Sequence, residues 1–153
     1  MSDERYSLDT NILIYAVDRS EGAKHDLAVE IVDLSVERDC VLTVQALAEF
    51  TAAASRRGVV PKSEAAAQVR DWLQLFPAAA ADAVALERAL DAVEAGQFAF
   101  WDALLLATAA EAGCSVVLSE DMHDGAEFDG LRVRDPLGTA ALPADLQALL
   151  GMT

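Results

Sequence analysis

The sequence predicts an α/β fold: a central, mostly parallel β-sheet flanked by helices. Three observations point there. Apolar runs of strand length alternate with longer stretches of helical period, the pattern of βα units. Hydrophobic residues make up 54% of the chain and mean hydropathy is +0.25, enough apolar surface to offset chain entropy and to exclude intrinsic disorder. The length, 153 residues, suits one domain over 1–153, because a single core usually serves about 100 to 200 residues.

In chain order, Tyr6 to Leu8 opens as a strand and Asn11 to Val17 reads as a short helix. Glu21 to Arg38 is amphipathic, with Leu27, Ile31 and Leu34 on one side and Glu30, Asp33 and Glu37 on others. Cys40 to Thr43 is the second strand, and Val44 to Arg57 is a helix stopped by Gly58. Pro61 restarts the chain, with Ser63 as N-cap of a helix to Leu73 and Leu75-Phe76 as a short strand before Pro77. Helices follow over Asp82 to Glu94, closed by Gly96, and over Phe100 to Ala112, ended by Gly113. Ser115 to Leu118 is the clearest strand, Leu131 to Arg134 reads as a last edge strand, and Pro143 to Leu150 forms a terminal helix. No internal repeat, low-complexity tail or linker interrupts this order.

No apolar run approaches the ~18 to 20 residues that span a bilayer, and the longest, Phe98 to Ala110, is broken by Asp102. The opening Met1-Ser2-Asp3-Glu4-Arg5 is acidic and unlike a signal peptide. A cytoplasmic location with no membrane partner is expected. Cys40 and Cys114 each lie in a short apolar run and read as small core residues of a reducing compartment. The 26 acidic and 11 basic side chains give a formal charge of −15, which repels nucleic acid at long range, so any nucleic-acid contact must be local.

In open α/β sheets, ligands bind beyond the carboxyl ends of the strands. Four segments deliver acids towards that edge: Asp9 after the first strand, Glu49 one turn into the helix after the second, Asp102 at the start of an apolar helix, and Asp121 after the Ser115 to Leu118 strand. Asp102 is the most informative, as the only charged residue from Phe98 to Ala110 on a helix apolar on all sides. A carboxylate on a buried helix is costly unless paired, protonated or bound to a cation. Each acid also has a plainer role: Asp9 and Asp102 as helix caps, Glu49 as a solvated side chain, Asp121 as part of an acidic surface loop. Spacing does not decide which of Glu120, Asp121 and Asp124 points inward.

If the four acids converge, their repulsion raises their pKa values unless a cation neutralises them. Oxygen ligands favour Mg²⁺ or Mn²⁺ over Zn²⁺, and the spacing of His25, His123 and the cysteines offers no zinc site. The chemistry natural to such ions is phosphodiester hydrolysis.

The stretches Asp9-Thr10-Asn11-Ile12-Leu13-Ile14-Tyr15, Ala48-Glu49-Phe50, Trp101-Asp102-Ala103-Leu104-Leu105-Leu106-Ala107 and Leu118-Ser119-Glu120-Asp121, in this order and spacing, resemble PIN-domain proteins, above all the VapC-type toxins of bacterial toxin–antitoxin systems. The resemblance spans nearly the whole chain. It implies a PIN-like fold, a Mg²⁺- or Mn²⁺-dependent endoribonuclease acting on RNA, a homodimer, and inhibition by a small antitoxin similar to VapB. It makes Asp9, Glu49, Asp102 and Asp121 the catalytic, metal-binding set, with Thr10, Asn11 and Ser119 as supports that orient carboxylates or water. Arg56, Arg57 and Lys62, and the pair Arg132 and Arg134, are the candidate RNA phosphate contacts. An acidic groove also suits an antitoxin segment that places an arginine among the carboxylates.

Two other readings compete. A phosphohydrolase would also use an Asp after the first strand, but usually with a second nearby acid and a late lysine, and the only lysines are Lys24 and Lys62. A non-catalytic PIN-like scaffold for dimerisation or partner binding would leave the acids solvated. No phosphate-binding glycine loop or serine-hydrolase elbow is present.

Overall fold

The computed structural model describes residues 3–152. Strand β1 (Tyr6–Leu8) leads into α1 (Thr10–Val17), a 3-10 turn (Arg19–Glu21) and α2 (Ala23–Ser35). Strand β2 (Leu42–Thr43) leads into α3 (Val44–Arg56) and α4 (Lys62–Leu75), then β3 (Ala78–Ala79), α5 (Ala83–Glu94) and α6 (Phe100–Glu111). Strands β4 (Val116–Leu118), β5 (Glu127–Phe128) and β6 (Leu131–Arg134) and helix α7 (Ala144–Leu149) complete the chain.

The main sheet runs β1-β4-β6-β5, and all its pairs are parallel except β5 with β6. Strands β2 and β3 form a parallel pair beside it, joined to β1 through the Tyr6–Cys40 bridge. Strands β1 and β4 are short and buried on both faces, as parallel strands covered by helices must be. Fully buried Tyr6, Leu8, Ile12, Leu42, Leu106 and Leu118 knit sheet and helices into one apolar cluster. Both cysteines are buried and free. Among the described residues no helix is long and apolar enough to cross a membrane.

Several expectations are corrected. Leu75-Phe76 is no strand: α4 runs through Leu75, half of which is exposed, and the strand forms after Pro77, whose carbonyl accepts from Leu42 N–H at 2.9 Å. Ser63 does not cap α4, which starts at Lys62 behind Pro61 with no side-chain cap. Leu131 to Arg134 is not an edge strand, because β5 folds back on it through Asp129 and Gly130, both at positive φ (47° and 86°). The long helix expected from Glu21 to Arg38 is shorter, with the 3-10 turn ahead of it and Ser35 as its last residue. The second strand narrows to Leu42–Thr43, with Cys40 contributing the single bridge. Helix α6 is not buried all round, since Trp101 is 62% exposed.

Candidate active site

The register of the sheet explains why two polar residues meet. Leu8 and Leu118 are partners at the ends of adjacent parallel strands, so Asp9 and Ser119 leave the sheet side by side, and Asp9 N–H donates to the Leu118 carbonyl at 2.9 Å. Asp9 is 5% exposed. Its Oδ1 accepts from Thr10 N–H at 2.7 Å and caps α1. Its Oδ2 accepts from Ser119 Oγ at 2.8 Å and Asn11 Nδ2 at 3.2 Å. Asp9 is therefore a helix cap whose second oxygen is held by Ser119 and Asn11. Burial, opposed by Ser119 and Thr10 but reinforced by repulsion from Asp121 and Asp102, lifts its carboxyl to about 6.

The structure brings the other acids to the same edge. Asn11 Nδ2 donates to Asp121 Oδ1 at 2.9 Å and lies 3.2 Å from Ser119 Oγ, which itself lies 3.2 Å from Asp121 Oδ1. Asn11 and Ser119 thus hold Asp9 and Asp121 together with neutral donors. Glu49 lies one turn into α3, where Thr10 Oγ1 donates to it at 2.9 Å and Gln45 Nε2 at 3.0 Å. Asp102 does not cap its own helix, which has no side-chain cap, and it has no hydrogen-bond or ion-pair partner among the described residues. Burial first, then Asp121 and Glu49, push its carboxyl above the usual range.

The loop after β4 sorts its three acids. Glu120 turns to Lys24 Nζ at 2.8 Å and accepts from Tyr15 Oη at 2.5 Å. Burial raises its pKa, but those two partners outweigh burial and leave it lowered. Asp124 accepts from Asp135 N–H at 2.9 Å and from Arg134 Nε at 3.1 Å. Asp121 alone faces Asp9. Meanwhile the Glu120 N–H donates to Asn11 Oδ1 at 2.9 Å, so Asn11 orients both the loop backbone and two carboxylates.

A cleft of about 460 Å³ opens over this edge, lined by Thr10, Asn11, Glu49 and Asp121 on one side and Arg56 and Arg57 on the other. Lys62 does not line it. Arg132 and Arg134 are committed elsewhere, Arg132 to Glu127 and Arg134 to Asp124 and Asp145, so they are not phosphate contacts of this cleft. Sequence reading missed Gln45 and Tyr15. Gln45 ties α3 to the start of α6 through the Trp101 carbonyl at 2.9 Å, and its signal was the i, i+4 spacing to Glu49. Tyr15 stands in the same relation to Asn11 on α1.

The donor chemistry fits a hard divalent cation: four carboxylates, no ion pair to any of them among the described residues, and one raised to about 6 by burial and its neighbours. Among the described residues no three acidic, histidine or cysteine side chains already stand as a metal-coordinating cluster. Side-chain rotation of half-buried Asp102 and exposed Asp121 would accompany capture of an ion.

The sequence profile of the PIN domain matches residues 6–124. The chain belongs to the PIN domain family. All four carboxylates lie within the matched stretch. Solved structures with the same fold include DNA-bound VapBC from Salmonella typhimurium, at 17% identity and TM-score 0.62 over 86% of this chain and 98% of that one. Another is Mycobacterium tuberculosis VapC20, described as a sarcin-ricin loop cleaving toxin, at 20% identity and TM-score 0.60 over 83% and 98%. A third is a toxin–antitoxin complex from Klebsiella pneumoniae, at 19% and TM-score 0.59 over 88% and 99%. At these identities the likeness is one of fold. No curated protein matches the chain.

Proposed function

We propose that this PIN chain is a single-domain endoribonuclease of VapC type that hydrolyses RNA phosphodiester bonds with Mg²⁺ or Mn²⁺. The observation that carries the proposal is the convergence of Asp9, Glu49, Asp102 and Asp121 from four separated elements on one sheet edge, with no lysine or arginine ion-paired to them among the described residues. Asp9, Glu49, Asp102 and Asp121 would hold the ion. What it supplies when bound is a water of lowered pKa and neutralisation of charge at the scissile phosphate.

The chain's own residues do the positioning. Thr10 aims Glu49, and Asn11 and Ser119 set Asp9 and Asp121, in the way outer-shell donors fix ligand orientation. Arg56 and Arg57 on the facing wall bind RNA phosphate. Partners in this reading are a second copy of the chain and a small basic antitoxin, and the solved VapBC structures of the same fold support the second. Exposed Leu86 and Leu90, one turn apart on α5, supply apolar surface for the homodimer.

Expression of the wild type and Asp9→Asn in a bacterium, with RNA 5′ ends mapped across all cellular RNA, tests the reading. Discrete new ends that require Asp9 support it and name the target. Identical maps from two soluble, folded proteins overturn it in favour of a non-catalytic scaffold.

A further inference from the structure

The cleft over the carboxylates is not closed at its far end. A second cavity of about 940 Å³ lies between the end of α1 and the turn from α3 to α4. Asp18 and Arg57 line both spaces, so they form one groove. The floor of the second cavity is apolar, from Val17, Val29 and Val60. Its rim is polar, from Arg19, His25, Glu64 and Gln68.

Six acids and three arginines line the two spaces together. The chain has 26 acidic and 11 basic side chains, so an arginine has carboxylates to choose from. Arg5, Lys24, Arg88, Arg132 and Arg134 are each ion-paired. Arg19, Arg56, Arg57, Lys62 and Arg70 have no such partner among the described residues, and the first three are exposed on this one groove. On the shared wall, Asp18 Oδ1 accepts from Ser20 N–H at 3.1 Å and Ser20 Oγ at 2.5 Å. His25 Nδ1 lies 2.8 Å from the Tyr15 carbonyl, which it can approach only as donor, leaving Nε2 as the acceptor of the neutral ring.

We infer that the second cavity is a nucleotide subsite for single-stranded RNA, holding the residue that flanks the one whose phosphodiester sits at the carboxylates. The inference rests on the nuclease reading above. Arg56, Arg57 and Arg19 follow successive phosphates. The valine floor takes the face of a base, and Gln68, Glu64 and His25 Nε2 meet its edge, the combination by which unpaired RNA bases are held.

Fluorescence anisotropy of labelled RNA against the Asp9→Asn protein in EDTA reads binding without turnover. The probes are a 5′-fluorescein octamer and dinucleotide of mixed sequence. Removing a phosphate contact lowers the slope of log K against log salt by about 0.7 for single strands. Arg57→Gln is expected to lower it for both probes, and Arg19→Gln for the octamer alone. Arg70→Gln makes the same charge change on an exposed face of α4 outside both cavities and leaves the slope unchanged. Equal losses with Arg70→Gln, or none with Arg19→Gln and Arg57→Gln, overturn the subsite. So does unaltered RNA binding with lost affinity for an oligoglutamate peptide, which would make the groove a protein dock. If cellular RNA shows no Asp9-dependent ends while binding still depends on Arg19 and Arg57, the nuclease reading falls alone. If Asp9-dependent cleavage is found and those arginines do not matter, the subsite falls alone.

Discussion

The acids that flank Asp121 in its loop and the acids brought near it from the end of β1 and from α6 are treated in opposite ways. Glu120 and Asp124 each receive a cation, Lys24 and Arg134, and both have lowered pKa values. Asp9 and Asp102 receive none, and both are raised. Burial is the first cause of both raised values, and no cationic partner offsets it. An arginine would bind a carboxylate more strongly than a hydroxyl or amide does, but it would cancel the charge and take the lone pairs. Asn11, Ser119 and Thr10 fix the direction of the cleft oxygens and leave their charge in place, which is what a site for a cation needs and what a merely solvated acidic surface has no reason to contain.

Removing one cleft charge is the most severe way to break this contrast. Asp9→Asn is expected to cost about 10³-fold or more in cleavage of a mapped RNA target, because metal-ion charge stabilisation is worth several kcal/mol and each 1.36 kcal/mol is about tenfold. Single-turnover rates with excess enzyme check this. Asp124→Asn, in the same loop but turned to Arg134, should leave the rate within about threefold, since it removes a half-exposed ion pair. Equal losses from the two would show that the loop, not the charge, is what matters.

The same Asp9→Asn change should move stability the other way. The folded carboxyl sits at about 6 against 3.8 for the ordinary group, so the folded chain binds this proton more tightly than the unfolded one. The associated stability is complete below pH 3.8 and is lost as pH rises through 6. At pH 7 the ionised buried group costs about 3 kcal/mol, and the asparagine should recover about 1 to 3 kcal/mol of it in EDTA. Asp124 slopes oppositely. Its pKa is lowered by the Asp135 N–H and then Arg134, against burial, so its contribution is present above 3.8 and fades as pH falls through the lowered value. Urea unfolding of wild type and both variants from acid to neutral pH separates the two slopes. Added Mg²⁺ should reverse the order, stabilising wild type by about 2.7 kcal/mol at a hundred times its Kd and Asp9→Asn by much less.

Asn11 sharpens the comparison at smaller scale. It touches two carboxylates, the Ser119 hydroxyl and the Glu120 N–H, and outer-shell partners of metal ligands typically cost about 10- to 100-fold on removal. Asn11→Ala should weaken Mg²⁺ affinity by that amount, read by the Mg²⁺ dependence of melting, and Asn11→Asp should destabilise the metal-free fold more than Asn11→Ala because it adds a fifth charge. If Asn11→Ala leaves Mg²⁺ affinity intact, the neutral donors are packing and not positioning.

Much of this was legible in the sequence, and the misses have physical causes. Asp102 stood out because a lone charge in an apolar helix has few inexpensive explanations, and the strands ending at Leu8 and Leu118 put Asp9 and Asp121 at one sheet edge. Glu49 was hard to read because a helical wheel sees only its own helix, whereas the group that turns Glu49 inward is Thr10 on α1. The sorting of Glu120, Asp121 and Asp124 depended on Lys24, Tyr15, Arg134 and the Asp135 backbone, partners invisible to spacing. The β5–β6 hairpin was missed although Asp129-Gly130, between Phe128 and Leu131, is the signal for a two-residue turn. Leu75-Phe76 was misread because a short apolar run at a helix end looks the same as a short strand.

The smallest expected effect belongs to a pair of acids outside the cleft. Arg88 reaches Glu111 on α6 and Asp129 in the β5–β6 turn, with Asp129 accepting at 2.8 Å and 3.0 Å, and its guanidinium lies 5.7 Å over the Phe128 ring. This is the neutralised pattern in full: two carboxylates and one arginine, about a quarter of whose side chain is exposed. Arg88→Ala should therefore destabilise by only about 1 kcal/mol, the worth of a partly screened ion pair plus an exposed cation–π contact, and the loss should shrink in high salt. Cleavage should be unchanged, because neither acid touches the cleft. If Arg88→Ala instead changed Mg²⁺ affinity, paired and unpaired acids would be coupled through α6, and the two regions would have to be treated as one electrostatic unit.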